Sequence, residues 1–230
     1  MNRSLDLATS YLSTVLELGR GWHARVASRE PEKPLELYEF ESCPFCRKVR
    51  EALTELDLSP VIYPCPPGGE RFRKIALEKG GKPQFPFLVD PNENRQMYES
   101  VEIVRYLAST YGDGSTPGAI AGGPLATWRA SLVSLPRIGR VKTRPSRAPA
   151  KLLELYSFET SPYCRIAREA LCNLELPYRL HNVGKNSKNR AAFQAMSGKM
   201  MVPYLVDPNT DTSMFESADI AAYLYDTYGA

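Results

Sequence analysis

The sequence predicts an α/β protein made of two tandem copies of one small domain, each running βαβ-α-ββ-α. Three observations predict it. A long stretch of the chain returns 118 residues later (35 to 153). Each copy opens on an alternating strand-forming run that leads into a proline-started helix. Each copy closes on a short helix ending in Tyr-Gly, at Tyr111-Gly112 and Tyr228-Gly229.

The repeat is the strongest signal. Leu35-Glu36-Leu37-Tyr38-Glu39-Phe40-Glu41-Ser42-Cys43-Pro44-Phe45-Cys46-Arg47 returns as Leu153-Glu154-Leu155-Tyr156-Ser157-Phe158-Glu159-Thr160-Ser161-Pro162-Tyr163-Cys164-Arg165. Phe85-Pro86-Phe87-Leu88-Val89-Asp90-Pro91-Asn92 returns as Val202-Pro203-Tyr204-Leu205-Val206-Asp207-Pro208-Asn209, with the offset now 117 (86 to 203). Tyr98-Glu99-Ser100 returns as Phe215-Glu216-Ser217. Upstream, Ser28-Arg29-Glu30-Pro31 matches Ser146-Arg147-Ala148-Pro149, so the repeated unit includes a leader. A unit of this length buries its own core, so two copies make two domains rather than a solenoid. The expected organisation is a leader with an amphipathic helix (1–34), a first domain (35–112), a basic linker (113–151) and a second domain (152–230).

Within one unit each element has a local cause. Leu35–Phe40 alternates and is rich in strand formers. Pro44 fits the first position of a helix, and Val49, Leu53 and Leu56 give that helix one apolar face over 44–58. Val61–Tyr63 is a second strand, parallel to the first by the crossover rule. Arg71–Lys79 is a weaker helix ended by Gly80-Gly81. Phe85–Val89 and Gln96–Tyr98 are strands joined by the turn Asp90-Pro91-Asn92. Ser100 is expected to cap a last helix with Val104 and Leu107 inward. This order is that of the thioredoxin fold.

The totals narrow the function. No run of eighteen apolar residues exists to span a membrane. The start lacks the plan of a secretory signal. Five cysteines, an odd and sparse set, suit a reducing compartment rather than a disulfide framework, so a cytoplasmic location is expected. A net charge of +3 does not by itself point to nucleic acid. Gly114–Leu153 carries seven cations and no acid. It is read as a solvated linker in preference to a patch for anionic partners or a membrane surface. Leu125, Trp128, Leu132 and Leu135 in it, and Leu5, Ala8, Leu12 and Val15 in the leader, fall at helical spacing. They are expected to pack on a domain or a partner chain, and a homodimer is one such arrangement.

The chemistry falls at the carboxyl ends of the strands. Cys43 sits between the first strand and the first helix, where the helix dipole and free N–H groups favour a thiolate. Cys46 lies one turn on, within reach for a disulfide. A zinc site needs two further ligands, which His23 and His181 do not supply; no metal is expected. Pro86 and Pro203 are read as cis prolines that turn backbone groups toward a peptide-like ligand. Glu99-Ser100 and Glu216-Ser217, before a helix, suit a ligand carrying both an ammonium and a carboxylate. Cys65 is read as an incidental thiol in a proline-rich turn, and Cys172 as core.

Each unit resembles glutaredoxins and the N-terminal domain of glutathione S-transferases. Cys43-Pro44-Phe45-Cys46 is similar to the dithiol glutaredoxin motif, and the Phe85-Pro86 or Val202-Pro203 step followed by Glu-Ser is similar to the transferase glutathione site. The whole chain looks like tandem glutaredoxin-like proteins of bacteria, cyanobacteria and plastids, which carry two such domains; if the source is a photosynthetic eukaryote, the expected location is the plastid stroma instead of the cytoplasm. The resemblance implies glutathione as co-substrate, Cys43 as nucleophile and Cys46 as resolving thiol. It implies contacts from Pro44, Phe45, Phe85, Pro86, Glu99 and Ser100, and from Ser161, Tyr163, Val202, Pro203, Glu216 and Ser217. Two departures stand out. Ser161 occupies the nucleophile position of the second unit, and Glu41 stands where many glutaredoxins carry Lys. The expected function is glutathione-dependent thiol–disulfide exchange on a disulfide or glutathionylated substrate. The alternatives are a transferase using Ser161 and a non-enzymatic glutathione-binding adaptor or sensor.

Overall fold

The computed structural model describes residues 3–16, 21–25, 28–115, 117, 118, 120, 123, 128, 131, 132, 137 and 139–230. The leader forms α1 (Arg3–Leu16). The first unit follows as β1 (Glu36–Glu39), α2 (Pro44–Glu55), β2 (Val61–Pro64), α3 (Arg71–Gly80), β3 (Phe87–Asp90), β4 (Arg95–Met97) and α4 (Ser100–Thr110). The second repeats it as β5 (Leu153–Ser157), α5 (Pro162–Asn173), β6 (Tyr178–Asn182), α6 (Arg190–Ser197), β7 (Tyr204–Asp207), β8 (Thr212–Phe215) and α7 (Ser217–Tyr228). Both units have the thioredoxin-like arrangement expected.

Within the two units the apolar periodicities do what they predict. Val49, Ala52 and Leu53 of α2 pack with Leu37, Ile62, Leu88, Ile103 and Leu107 in the main core. α2 ends at Glu55, short of the expected Leu58, because Asp57 takes a left-handed backbone (φ 53°) that a helix cannot continue through. α3 ends on Gly81 at φ 76°, the left-handed closing position that glycine fills without strain.

The duplication extends to single hydrogen bonds. The Arg29 N–H donates to the Tyr111 carbonyl at 3.2 Å, and the Arg147 N–H to the Tyr228 carbonyl at 2.8 Å. Lys33 N–H donates to Asn92 Oδ1, and Lys151 N–H to Asn209 Oδ1. Buried Asp90 accepts the hydroxyls of Tyr106 at 2.6 Å and Tyr111 at 2.5 Å; Asp207 does the same for Tyr223 and Tyr228. Removing that acceptor leaves two buried phenols unpaired. Asp90→Ala is expected to cost about 2–4 kcal/mol, read as a lower urea midpoint at unchanged slope.

The two units do not sit as beads. β1 pairs parallel with β2 and antiparallel with β3 in the first unit, and β5 does likewise with β6 and β7. β2 then pairs antiparallel with β6, with Ile62 opposite Tyr178 and Val61 opposite Arg179. The result is one eight-stranded sheet in the order β4-β3-β1-β2-β6-β5-β7-β8. Each unit thereby covers the edge that the other would leave open.

A buried ionic cluster crosses the junction. Arg168 grips Glu41 through Nε and Nη2 at 2.9 and 3.0 Å. Its counterpart Arg50 grips Glu159 through Nε and Nη2 at 2.9 and 3.3 Å. Arg47 adds a third donor to Glu159 at 3.1 Å. The symmetry breaks where Arg50 also pairs with Glu39, since the second unit offers Ser157 to Arg168, and where Arg165, the counterpart of Arg47, donates to Ser10 of α1.

One expectation is corrected, and a second is met by a different face of the helix. The linker is not simply solvated. Arg137 is buried, gripping Glu169 and Asp6, and Arg144 donates its N–H to Asn173 across the second unit. The stripe of α1 does not face the protein either. Leu5, Ala8, Leu12 and Val15 are all exposed, Val15 at 67%. The helix docks through its polar side instead, because that side finds partners on the second unit. Ser10 and Thr14 donate to the carbonyls of Pro162 and Thr160, and Arg165 donates to the Ser10 carbonyl. Trp128 and Leu132 are likewise exposed, while Leu125 and Leu135 lie outside the described residues.

Candidate functional site

Cys43 is the N-cap residue of α2, with φ −77° and ψ 120°, and Pro44 follows in the first turn. The Cys46 N–H donates to Cys43 Sγ at 3.2 Å. The thiol is thus aimed at the free donors of the helix start. A hydrogen bond from the Cys46 side chain, against the opposing cost of burial and aided by the Cys46 N–H, holds the Cys43 thiol below its ordinary value. Cys46 goes the other way: burial first, then its bond to Cys43, pushes it well up. One thiol is set to ionise and the next to stay protonated, a division suited to attack followed by resolution. Glu41, the residue that departs from the glutaredoxin pattern, is committed to Arg168 rather than turned on Cys43.

Two of the other thiols do not compete. Burial pushes Cys65 and Cys172 far above the usual thiol range. At limiting iodoacetamide, Cys43 is therefore expected to be alkylated first, at a pH midpoint below that of an ordinary thiol. Peptide mapping by mass spectrometry reads the order.

Both expected proline bonds, Phe85–Pro86 and Val202–Pro203, are cis. Phe85 packs edge-on against Phe40, three residues before Cys43, at 6.2 Å. The Gln84 amide donates to the Glu99 carboxylate at 2.5 Å. These contacts draw the first unit's three motifs to one edge of the sheet. The cap assignment is corrected: Glu99 and Glu216 hold the N-cap positions, and Ser100 and Ser217 are the first helical residues. Neither Glu makes a side-chain cap bond. Both take a left-handed backbone (φ 67° and 69°), a conformation that non-glycine residues adopt at a cost.

Sequence reasoning missed Gln84 and Arg73. The Arg73 guanidinium lies 4.7 Å from the Phe85 ring centre and 5.8 Å from that of Phe40, which puts a fixed cation beside the proline step. Its Nε donates to the Pro66 carbonyl; Arg190, 117 residues on, donates to the Val183 carbonyl at the matching place. That repetition within the duplicate was the available signal.

In the second unit Ser161 caps α5 as Cys43 caps α2. The Cys164 N–H donates to Ser161 Oγ at 3.2 Å, and Cys164 itself is fully buried. Tyr163 and Phe45 are exposed at matching positions, and Tyr163 accepts a hydrogen bond from Tyr11 of α1. Among the described residues, no group of three or more side chains is arranged to hold a metal. No helix among them is long and apolar enough to cross a membrane.

Fold and site together define a duplicated thioredoxin-like protein with one thiol and one hydroxyl at equivalent helix starts. The profile of the glutathione S-transferase N-terminal domain family matches residues 37–116 and again 155–230. The chain belongs to that family, carrying its domain twice. Among solved structures, the Bombyx mori glutathione transferase BmGSTD1 is 26% identical over 37% of this chain and 39% of its own, with a TM-score of 0.33. Leishmania TDR1, a trimeric glutathione transferase, is 13% identical over 86% of this chain and 68% of its own, with a TM-score of 0.31. The chain therefore spans about two fifths of the Bombyx mori protein. No curated protein matches it.

Proposed function

We propose that the protein is a glutathione-dependent thiol–disulfide oxidoreductase whose chemistry belongs to the first unit. The observation that carries this is the pairing at the start of α2: Cys43 Sγ accepts the Cys46 N–H, and burial pushes the Cys46 thiol up behind it. The Cys43 thiolate attacks the glutathione sulfur of a mixed disulfide. An S–S bond forms to Cys43, and the substrate thiolate leaves and takes a proton from water. A second glutathione thiolate then attacks that bond, releasing oxidised glutathione and restoring Cys43. Alternatively Cys46 attacks, releasing reduced glutathione and leaving a Cys43–Cys46 disulfide. Glutathione lies against Phe85, Pro86 and Glu99-Ser100, with Arg73 supplying a cation to one of its carboxylates.

The second unit reads as a glutathione holder. Ser161 has the cap geometry of Cys43 with a hydroxyl that forms no disulfide. Reduction of a glutathionylated peptide, assayed beside conjugation of a model electrophile, tests the reading. Turnover in the first assay alone supports it. Conjugation alone, lost on Ser161→Ala, would replace it with a transferase. Neither activity, with glutathione still bound, would leave an adaptor.

A further inference from the structure

The basic linker and the second unit enclose a cleft of about 630 Å³, well within the size of small-molecule sites. Its floor is the outer groove between α5 and α7: Ile166 and Ala170 on one side, Ala218, Ala221 and Ala222 on the other. Arg140, Lys142 and Arg144 line it from the linker. We propose that this cleft binds a small anionic amphiphile, with an acidic head on Lys142 and Arg144 and an apolar body on the α5–α7 floor.

Comparison with the first unit carries the argument. At the repeat offset, Ala218, Ala221 and Ala222 replace Val101, Val104 and Arg105, and Ile166 replaces Lys48. The second unit has thus lost side-chain volume and two charges from one helix groove, and the groove is open. The charges around it are not self-cancelling. Of the three acids that line it, Asp6 and Glu169 are gripped by buried Arg137, which leaves Glu216 alone to set against Lys142 and Arg144. Arg144 lies over the Tyr225 ring at 5.2 Å, and neither it nor Lys142 has a carboxylate partner among the described residues. Cations without a carboxylate partner above an apolar floor select a ligand that is negative at one end and apolar along its length. Of the second unit's expected glutathione contacts, only Tyr163, Glu216 and Ser217 reach the cleft; Pro203 and Ser161 do not line it. The inference therefore does not rest on the redox reading.

The test uses the full chain and 8-anilinonaphthalene-1-sulfonate, an apolar fluorophore with one negative group. Saturable binding with enhanced emission is expected, displaced by decanoate and not by decyltrimethylammonium. Ala222→Trp, which fills the cleft from an exposed position, and the pair Lys142→Glu with Arg144→Glu are each expected to weaken binding about tenfold or more. Arg105→Glu, at the matching place on the first unit, leaves it unchanged. No saturable binding, equal displacement by the cationic amphiphile, or affinity unaltered in the cleft variants would each overturn the proposal.

Discussion

Cys43→Ser is expected to lower glutathione-dependent disulfide reduction at least ~1,000-fold, to background. A serine hydroxyl is far too weakly acidic to supply the anion that exchange needs at neutral pH. The same atom swap already exists in this chain as Ser161, so replacing Ser161 by Ala should change thiol transfer by less than about twofold. Cys46→Ser is expected to fall between these, about 2- to 20-fold down, because a second glutathione can resolve the mixed disulfide at Cys43. Steady-state rates with a glutathionylated peptide read all three. Turnover retained by Cys43→Ser and lost on Cys164→Ala would move the chemistry to the second unit. Such an outcome runs against the burial of Cys164 one turn inside α5.

Glu159→Ala is expected to be the most destabilising single change at the junction, about 3–5 kcal/mol. The Glu159 carboxylate faces Arg47, Arg50 and Arg168 together, all buried. Removing it strands guanidinium charge where water does not reach, which costs more than the ion pairs themselves contribute. Urea unfolding measures the loss. The cluster also sets the pH dependence. Burial works against Glu159, but Arg168, Arg50 and Arg47 outweigh it and hold its carboxyl down to about 2. Its stabilisation is therefore complete above the ordinary value of 4.5 and is lost as pH falls from there toward 2. Glu39 has the opposite sign. Burial, only partly offset by Arg50, pushes it up to about 7, so folding binds its proton and stability declines as pH rises from about 4.5 to 7. Glu39→Gln should flatten that decline while leaving the acid limb in place, as read by unfolding midpoints between pH 3 and 8.

The duplication, the order of elements and the positions of Cys43, Ser161 and the prolines were all determined by the sequence alone. A repeat needs only comparison of the chain with itself. Strand alternation and the helix face of Val49 and Leu53 depend on neighbours a few residues away, which the sequence states directly. The cap geometry of Cys43 also follows locally, from a strand end followed by Pro44. Partnership across more than a hundred residues is different. Glu41, Arg50, Glu159 and Arg168 look like ordinary surface charges in a linear reading, since charged residues are seldom buried unless paired. Their burial became possible only when β2 met β6 and brought each Arg over the other unit's Glu. The orientation of α1 was decided in the same way. An apolar stripe normally turns inward, but the surface on offer was the polar start of α5, so Ser10 and Thr14 turned inward instead. Local sequence states what each segment prefers; which preference is met depends on the groups that the tertiary structure presents to it.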